Sequence, residues 1–221
     1  MFAVVGTASA QREQARSVSG FNSIANAGSF AVHVKINGTE SLKIDGADAA
    51  TIAEIETIVT GGNLEIRWKR DWHGDHLIGR IDVYVTAKSL IALTCSGSGS
   101  LDVEGVVQGK TVDVTLSGSG TISSAIGAGK LSVTISGSGT TTLKGKSAEA
   151  DITISGSGKL SGDGLVTDDA AAMISGSGNA HLTVNKSISG SIVGSGSVVY
   201  SGNATINSVR TVGSGRIRKA D

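Results

Sequence analysis

The chain has 221 residues, with 19 Lys plus Arg against 19 Asp plus Glu, so its formal net charge is zero. That balance, with no long basic run, leaves no electrostatic footprint for a nucleic-acid partner. Hydrophobic residues make up 39% and aromatics 3%, with 32 glycines, no proline and one cysteine; the core must be aliphatic, an intrachain disulfide framework is excluded, and glycines set among Val, Ile and Thr argue for β-structure over linker.

An apolar run from Phe2 leads to Ala8-Ser9-Ala10, an A-x-A cleavage pattern, before the chain turns polar at Gln11. Residues 1–10 read as the remnant of a secretory signal peptide, 11–16 as a linker and 17–221 as a single β-helix domain. The mature chain is therefore expected in the periplasm, on the outer membrane surface or outside the cell. No later apolar stretch approaches the roughly 18 residues of a membrane helix, so no membrane span is expected.

Phe30, Val32, Val34 and Ile36 alternate with polar residues, and Asn37-Gly38 makes a turn. Leu42 and Ile44 alternate next. Gly61-Gly62 separates the strand pattern Ile55-Thr57-Val59 from Leu64-Ile66-Trp68, and Ile81-Val83-Val85 leads into Leu90. Only the run from Ala47 to Ile58 has room for a short helix.

From Ser96 onward the sequence repeats. Ser-Gly-Ser-Gly starts at Ser96, Ser117, Ser136, Ser155 and Ser175, and degenerate copies start at Val193 and Val212. The first glycines, Gly97, Gly118, Gly137, Gly156, Gly176, Gly194 and Gly213, are spaced by 21, 19, 19, 20, 18 and 19 residues. Apolar residues recur at fixed offsets. Cys95, Leu116, Ile135, Ile154, Ile174 and Ile192 precede the motif, with Leu93, Val114, Val133 and Ile152 two places earlier. Within each copy the period is two, so these are strands. Between copies like stacks on like, each coil rising by one inter-strand spacing of about 4.8 Å. The fold class expected is all-β: a parallel β-helix, or solenoid, with about 19 residues per coil, its glycines turning the backbone between strand faces. Near the C-terminus, Arg216, Arg218 and Lys219 put charge on the final strand, a defence of an open sheet edge.

Several segments, in order, resemble the head GIN domain family, the auto-transporter adhesin-like proteins of bacteria. The entry is Val18-Ser19-Gly20-Phe21-Asn22-Ser23-Ile24, the middle is Arg80 to Gly99, "RIDVYVTAKSLIALTCSGSG", and the end is Gly194 to Ile206, "GSGSVVYSGNATI". Members of the family usually carry a proline after the Tyr-x-Gly-Asn step; here Ala204 stands there, which predicts a looser turn. The resemblance implies a right-handed parallel β-helix exported to the envelope or surface, and an adhesin-like role.

Reactive constellations are weak. Gly139 to Ser147 is one residue too long for a phosphate loop and Gly105 to Thr111 one too short. The corner motif has serine where calcium-binding solenoids need aspartate. Trp72-His73-Gly74-Asp75-His76 offers two histidines and a carboxylate but reads as a solvated loop, with Trp68 and Trp72 capping the solenoid or offering a stacking surface. Asp113 and Asp151 occupy equivalent outward positions two coils apart, about 9.6 Å by coil rise, near the upper end of an inverting-hydrolase separation, with no basic residue in register. Asp168-Asp169 reads as a turn, and Cys95 as a small buried hydrophobe. No cofactor and no metal ligand set is assigned.

The least bland feature is a grid. Thr94 and Ser96, Thr115 and Ser117, Thr134 and Ser136, and Thr153 and Ser155 stack over four coils, until Met173 breaks the Thr file. These eight residues are the candidate interaction face. Its expected partner is a glycan or another cell-surface component, with a second copy of the chain as a further candidate. The function expected is a non-enzymatic exported β-solenoid acting as an adhesin-like surface-interaction or envelope structural protein. The alternatives are a polysaccharide-active enzyme on a β-helix, or an ice-binding protein.

Overall fold

The computed structural model describes residues 13–46, 48–72 and 79–220. The solenoid has about seven turns of roughly 19 residues, joined by parallel bridges. Its regular part comprises β8 (Ala92–Gly97), β9 (Ser100–Gly118), β10 (Thr121–Gly137), β11 (Thr140–Gly156), β12 (Lys159–Gly176) and β13 (Asn179–Gly194). It ends on β14 (Ser197–Ser201), β15 (Thr205–Gly213) and β16 (Arg216–Lys219), with β15 on β13 and β16 on β14. Leu116, Ile135, Ile154, Ile174 and Ile192 stand in one file, each paired with the next, and all are buried. Asp168-Asp169, expected as a turn, lies inside β12, where the ladder to β13 slips between Thr167 and Asp169.

The two glycines of the corner motif have different tasks. The first, from Gly97 to Gly213, adopts φ between +108° and +122°, a region that costs an L-residue strain. Its carbonyl accepts hydrogen bonds from the coil above; Gly118 O takes the N–H of both Ser138 and Gly139 at 3.0 Å. The second glycine makes room. A Cβ on Gly158 would strike Cγ2 of Ile135, and one on Gly178 would strike Cγ2 of Ile154. The interior isoleucine of one coil thus leans into space that the next coil's glycine leaves free.

The N-terminal end is less simple. It comprises β1 (Glu13–Arg16), β2 (Ser23–Ala27), β3 (Ala31–Ile36), β4 (Ser41–Asp45), α1 (Ala49–Ala53), β5 (Ile55–Thr60), β6 (Asn63–Trp68) and β7 (Asp82–Ala87). The β2–β3 coil, first in sequence, is second in space. β2 lies between β6 and β8, and β3 between β7 and β9, all parallel. The chain leaves β3, builds β6 and β7 on the far side, then crosses back through Lys88–Ile91. That crossing closes the third side of the early coil: Ile91 N–H donates to Asn22 O, and Leu90 O and Ile91 O accept from Gln108 and Asp113.

Antiparallel strands finish this end. β5 pairs with β6, β4 with β7, and β1 with β4. Residues 13–16, expected within a linker, are therefore a strand, fixed by Arg16, whose guanidinium donates to the carbonyls of Ile52 and Ile55. The helix expected somewhere in Ala47–Ile58 is a single turn from Ala49, capped by Asp48 accepting from Thr51 N–H at 2.7 Å. It stops because Ile55, Thr57 and Val59 follow the strand period and pair with β6.

The glycine assignment predicts a specific coupling. Gly158→Ala should destabilise, and Ile135→Ala should cost about 2–5 kcal/mol. The double variant should cost less than the sum by about 0.5–3 kcal/mol in urea unfolding, because Ile135→Ala removes the methyl that the new Cβ meets. Gly137→Ala, strained by its backbone, should gain nothing from Ile135→Ala.

Candidate functional site

Alternation puts every second residue of a strand outside, and coil stacking aligns those residues across the solenoid. Thr94, Thr115, Thr134 and Thr153 pair in succession, and so do Ser96, Ser117, Ser136 and Ser155. All eight are half-buried or exposed. The structure thus brings the predicted residues into one ladder, with repeats of about 4.8 Å between coils and about 6.7 Å along each strand. It is bounded by Ala25 on one side, paired with Thr94, and on the other by Met173, which is 58% exposed. Beside Met173 a shallow depression of about 230 Å³ continues the face, lined by Thr153, Ser155, Met173, Ser175, Ser191 and Val193.

Flanking the threonines runs a file of Asp113, Ser132, Asp151 and Ala171. The carboxylates do not face each other as an isolated pair. Lys130, unexpected from the sequence pattern, reaches Asp151 Oδ2 at 2.6 Å, and this contact raises the pKa of the lysine above its usual range.

Comparison with known proteins gives the family. The model of "Putative auto-transporter adhesin, head GIN domain" matches residues 20–204. The chain belongs to that family. Among solved structures, a putative adhesin from Bacteroides fragilis superposes with a TM-score of 0.85 at 21% identity, over 94% of this chain and 96% of that one. A putative lipid binding protein from Parabacteroides distasonis gives 0.75 at 22%, over 95% and 96%. A putative adhesin from Parabacteroides merdae gives 0.73 at 19%, over 95% of each. These likenesses show the fold. No curated protein matches the chain.

In this head GIN domain the turn at Ala204 is not loose. Its N–H donates to Val184 O at 3.1 Å, a bond no proline could make, and Tyr200 Oη donates to Ala204 O. Of the aromatic and histidine cluster, Trp72 stacks on Trp68 at 4.1 Å between centroids, and Trp68 lies 4.9 Å from Phe30. Phe30 occupies the position of a second corner glycine one coil below Gly99, so this aromatic group is in line with the corner column. His73 and His76 lie outside the described residues, and among the described residues no three His, Cys, Asp or Glu side chains converge as a metal site. No described helix is long and apolar enough to cross a membrane.

The sequence reading missed a groove of about 700 Å³ on the outer face of β4, β7, β3 and β9, where His33, Lys43, Tyr84 and Asp102 come together. Nothing in the spacing of these residues signals it, because its strands meet only through the out-of-order coil.

Cys95 stands in the interior file, its thiol donating to Gly99 O at 3.5 Å, and burial pushes it up to about 11. It should therefore be inert to Ellman's reagent in the native protein at about pH 8 and react fully once guanidinium unfolds the chain. Rapid native labelling would show that the corner column opens.

Proposed function

We propose that this chain is a non-enzymatic, exported, adhesin-like protein that holds a repetitive cell-surface polymer, a glycan chain, along its Thr–Ser ladder. The observation that carries this reading is the register: eight hydroxyl-bearing residues align over four coils without a break. A polymer with its own repeat can make several contacts at once on such a face, and each can be weak, because the second and later contacts form at high effective concentration. Thr adds a methyl beside each hydroxyl, so the face is amphipathic, as the faces of sugar rings are.

Membership of a family described as adhesins supports a surface role. The A-x-A pattern at Ala8–Ala10 supports export. Against hydrolysis, Asp151 is engaged by Lys130 and no aromatic residue is in the adjoining files. Against ice binding, the threonine file ends after four coils at an exposed methionine.

Replacing both Thr115 and Thr134 with Lys should abolish binding on a glycan array and to intact cells, while a circular-dichroism melt stays within about 1 kcal/mol of the parent. Full binding by a folded double variant would remove the ladder from the function. Export has its own check. Mass spectrometry of the protein from its native host should find Gln11 at the N-terminus, and cytoplasmic protein retaining Met1 would overturn the reading.

A further inference from the structure

The outer face at the N-terminal end is built unlike the ladder. The side chains of β4, β7, β3 and β9 fall in two cross-strand rows. In the first, Tyr84 is opposite both Lys43 and His33, and His33 is opposite Asp102. In the second, two residues along each strand, Lys35 is opposite Thr86 and Glu104. The groove of about 700 Å³ lies across these rows and is open to solvent. Tyr84 is 43% exposed. It stacks with His33 at 5.2 Å and 22°, and Lys43 Nζ sits 5.2 Å from its centroid.

The positions of these groups are held by ion pairs and hydrogen bonds. His33 Nε2 lies 2.9 Å from Asp82 Oδ1, and Asp82 is in turn gripped by Arg80. Lys43 is bonded to Glu13 at 3.0 Å and Lys35 to Glu104 at 2.9 Å. Asp102 is exposed and has no hydrogen bond or ion pair among the described residues.

We propose that this groove is a second binding site, separate from the ladder, and that it takes a neutral sugar ring. Three observations select that chemistry. The volume falls within the roughly 300–1,000 Å³ of small-molecule sites. With His33 and Lys43 against the Tyr84 ring, the outward edge of the stacked pair offers aromatic carbon to the C–H groups of a pyranose, beside the polar tip of each ring. Two lysines are matched by Asp102 and Glu104, so no net charge recruits a polyanion, while a polyol that both donates and accepts can use every group. Asp102 is the free acceptor for a pair of neighbouring hydroxyls, and hydrogen bonds to a charged group are the stronger kind. A fatty chain would instead leave the carboxylate of Asp102 without a partner.

The test is saturation-transfer NMR on the full chain, with maltotriose, cellotriose and mannotriose as probes. At least one should receive saturation from the aromatic protons, with a Kd of about millimolar. Tyr84→Ala and Asp102→Ala should each weaken it by about tenfold, and Tyr84→Phe should keep it. Because Tyr84 and Asp102 are outward residues, their melts should match the parent, and if Tyr84→Ala does not fold, Asp102→Ala decides. Thr115→Lys with Thr134→Lys should leave this binding unchanged, which separates failure of the ladder from failure of the groove. No transfer to any of the three sugars, or transfer that survives Tyr84→Ala and Asp102→Ala intact, overturns the proposal.

Discussion

The contact on which the structure depends is the one between a corner carbonyl and the backbone of the coil above it. A left-handed glycine turns its C=O along the solenoid axis, where it accepts from the Ser or Gly N–H of the next corner: Gly97 O from Ser119 and Gly120, Gly118 O from Ser138 and Gly139, Gly176 O from Ser195 and Gly196. No side chain can intervene at that distance. A Cβ on Gly139 would lie 2.5 Å from Gly120 O. Each corner therefore fixes its successor in rotation and height, and the strands on either side inherit their register. One slipped residue would turn every interior side chain outward, so the glycine column protects the core indirectly, by denying the strands an alternative pairing.

Coil length varies without disturbing that column. The coil from Gly97 to Gly118 has two residues more than its successor, and the surplus appears opposite Ser123 and Ala125, where the ladder slips between β9 and β10. The single extra residue between Gly156 and Gly176 appears opposite Thr142 and Lys144, and the shortening in the next coil appears at Gly162/Val166 and Thr167/Asp169. All these irregularities lie away from the Ser-Gly-Ser-Gly corner. The structure is rigid at one corner and tolerant elsewhere, the distribution expected of a β-bulge, which re-aims a strand without ending it.

This division explains what could be read from the sequence. The corner column imposes a residue type at a fixed period, so the coils, the interior file from Leu116 to Ile192 and the ladder from Thr94 to Ser155 are all legible in the sequence. The first hundred residues carry the same alternation but no period. Alternation says that a segment is a strand and not which strand it meets, so β2 and β3 could not be seen to lie inside β6 and β7. The short helix could be placed only within Ala47–Ile58, because Ala49 to Ala53 runs directly into a strand whose Ile and Thr positions also suit a helical face. Lys130 escaped notice for a related reason. It is aligned with Glu149, and only the reach of its side chain brings it to Asp151. The groove depends on the pairing of His33, Lys43, Tyr84 and Asp102 across four strands, and no local pattern encodes it.

Because the corner and interior files carry the fold, the outward files are free to differ. Solved structures at 19–21% identity keep TM-scores of 0.73 and 0.85, as expected if a sparse set of glycines and alternating aliphatics suffices. Function must then be sought where the scaffold makes no demand. The ladder and the groove both satisfy that condition, and they differ in how the fold presents them. The ladder is repetitive because its coils are, and it matches an extended partner. The groove exists because the solenoid is interrupted: β4 returns antiparallel beside β7, and the out-of-order coil brings His33 against Tyr84. A regular coil stacks equivalent positions in straight files, whereas this end sets aromatic, basic and acidic groups side by side. The irregular end thus lets the fold build a site of mixed chemistry, and the regular coils can stand behind it as a rigid support.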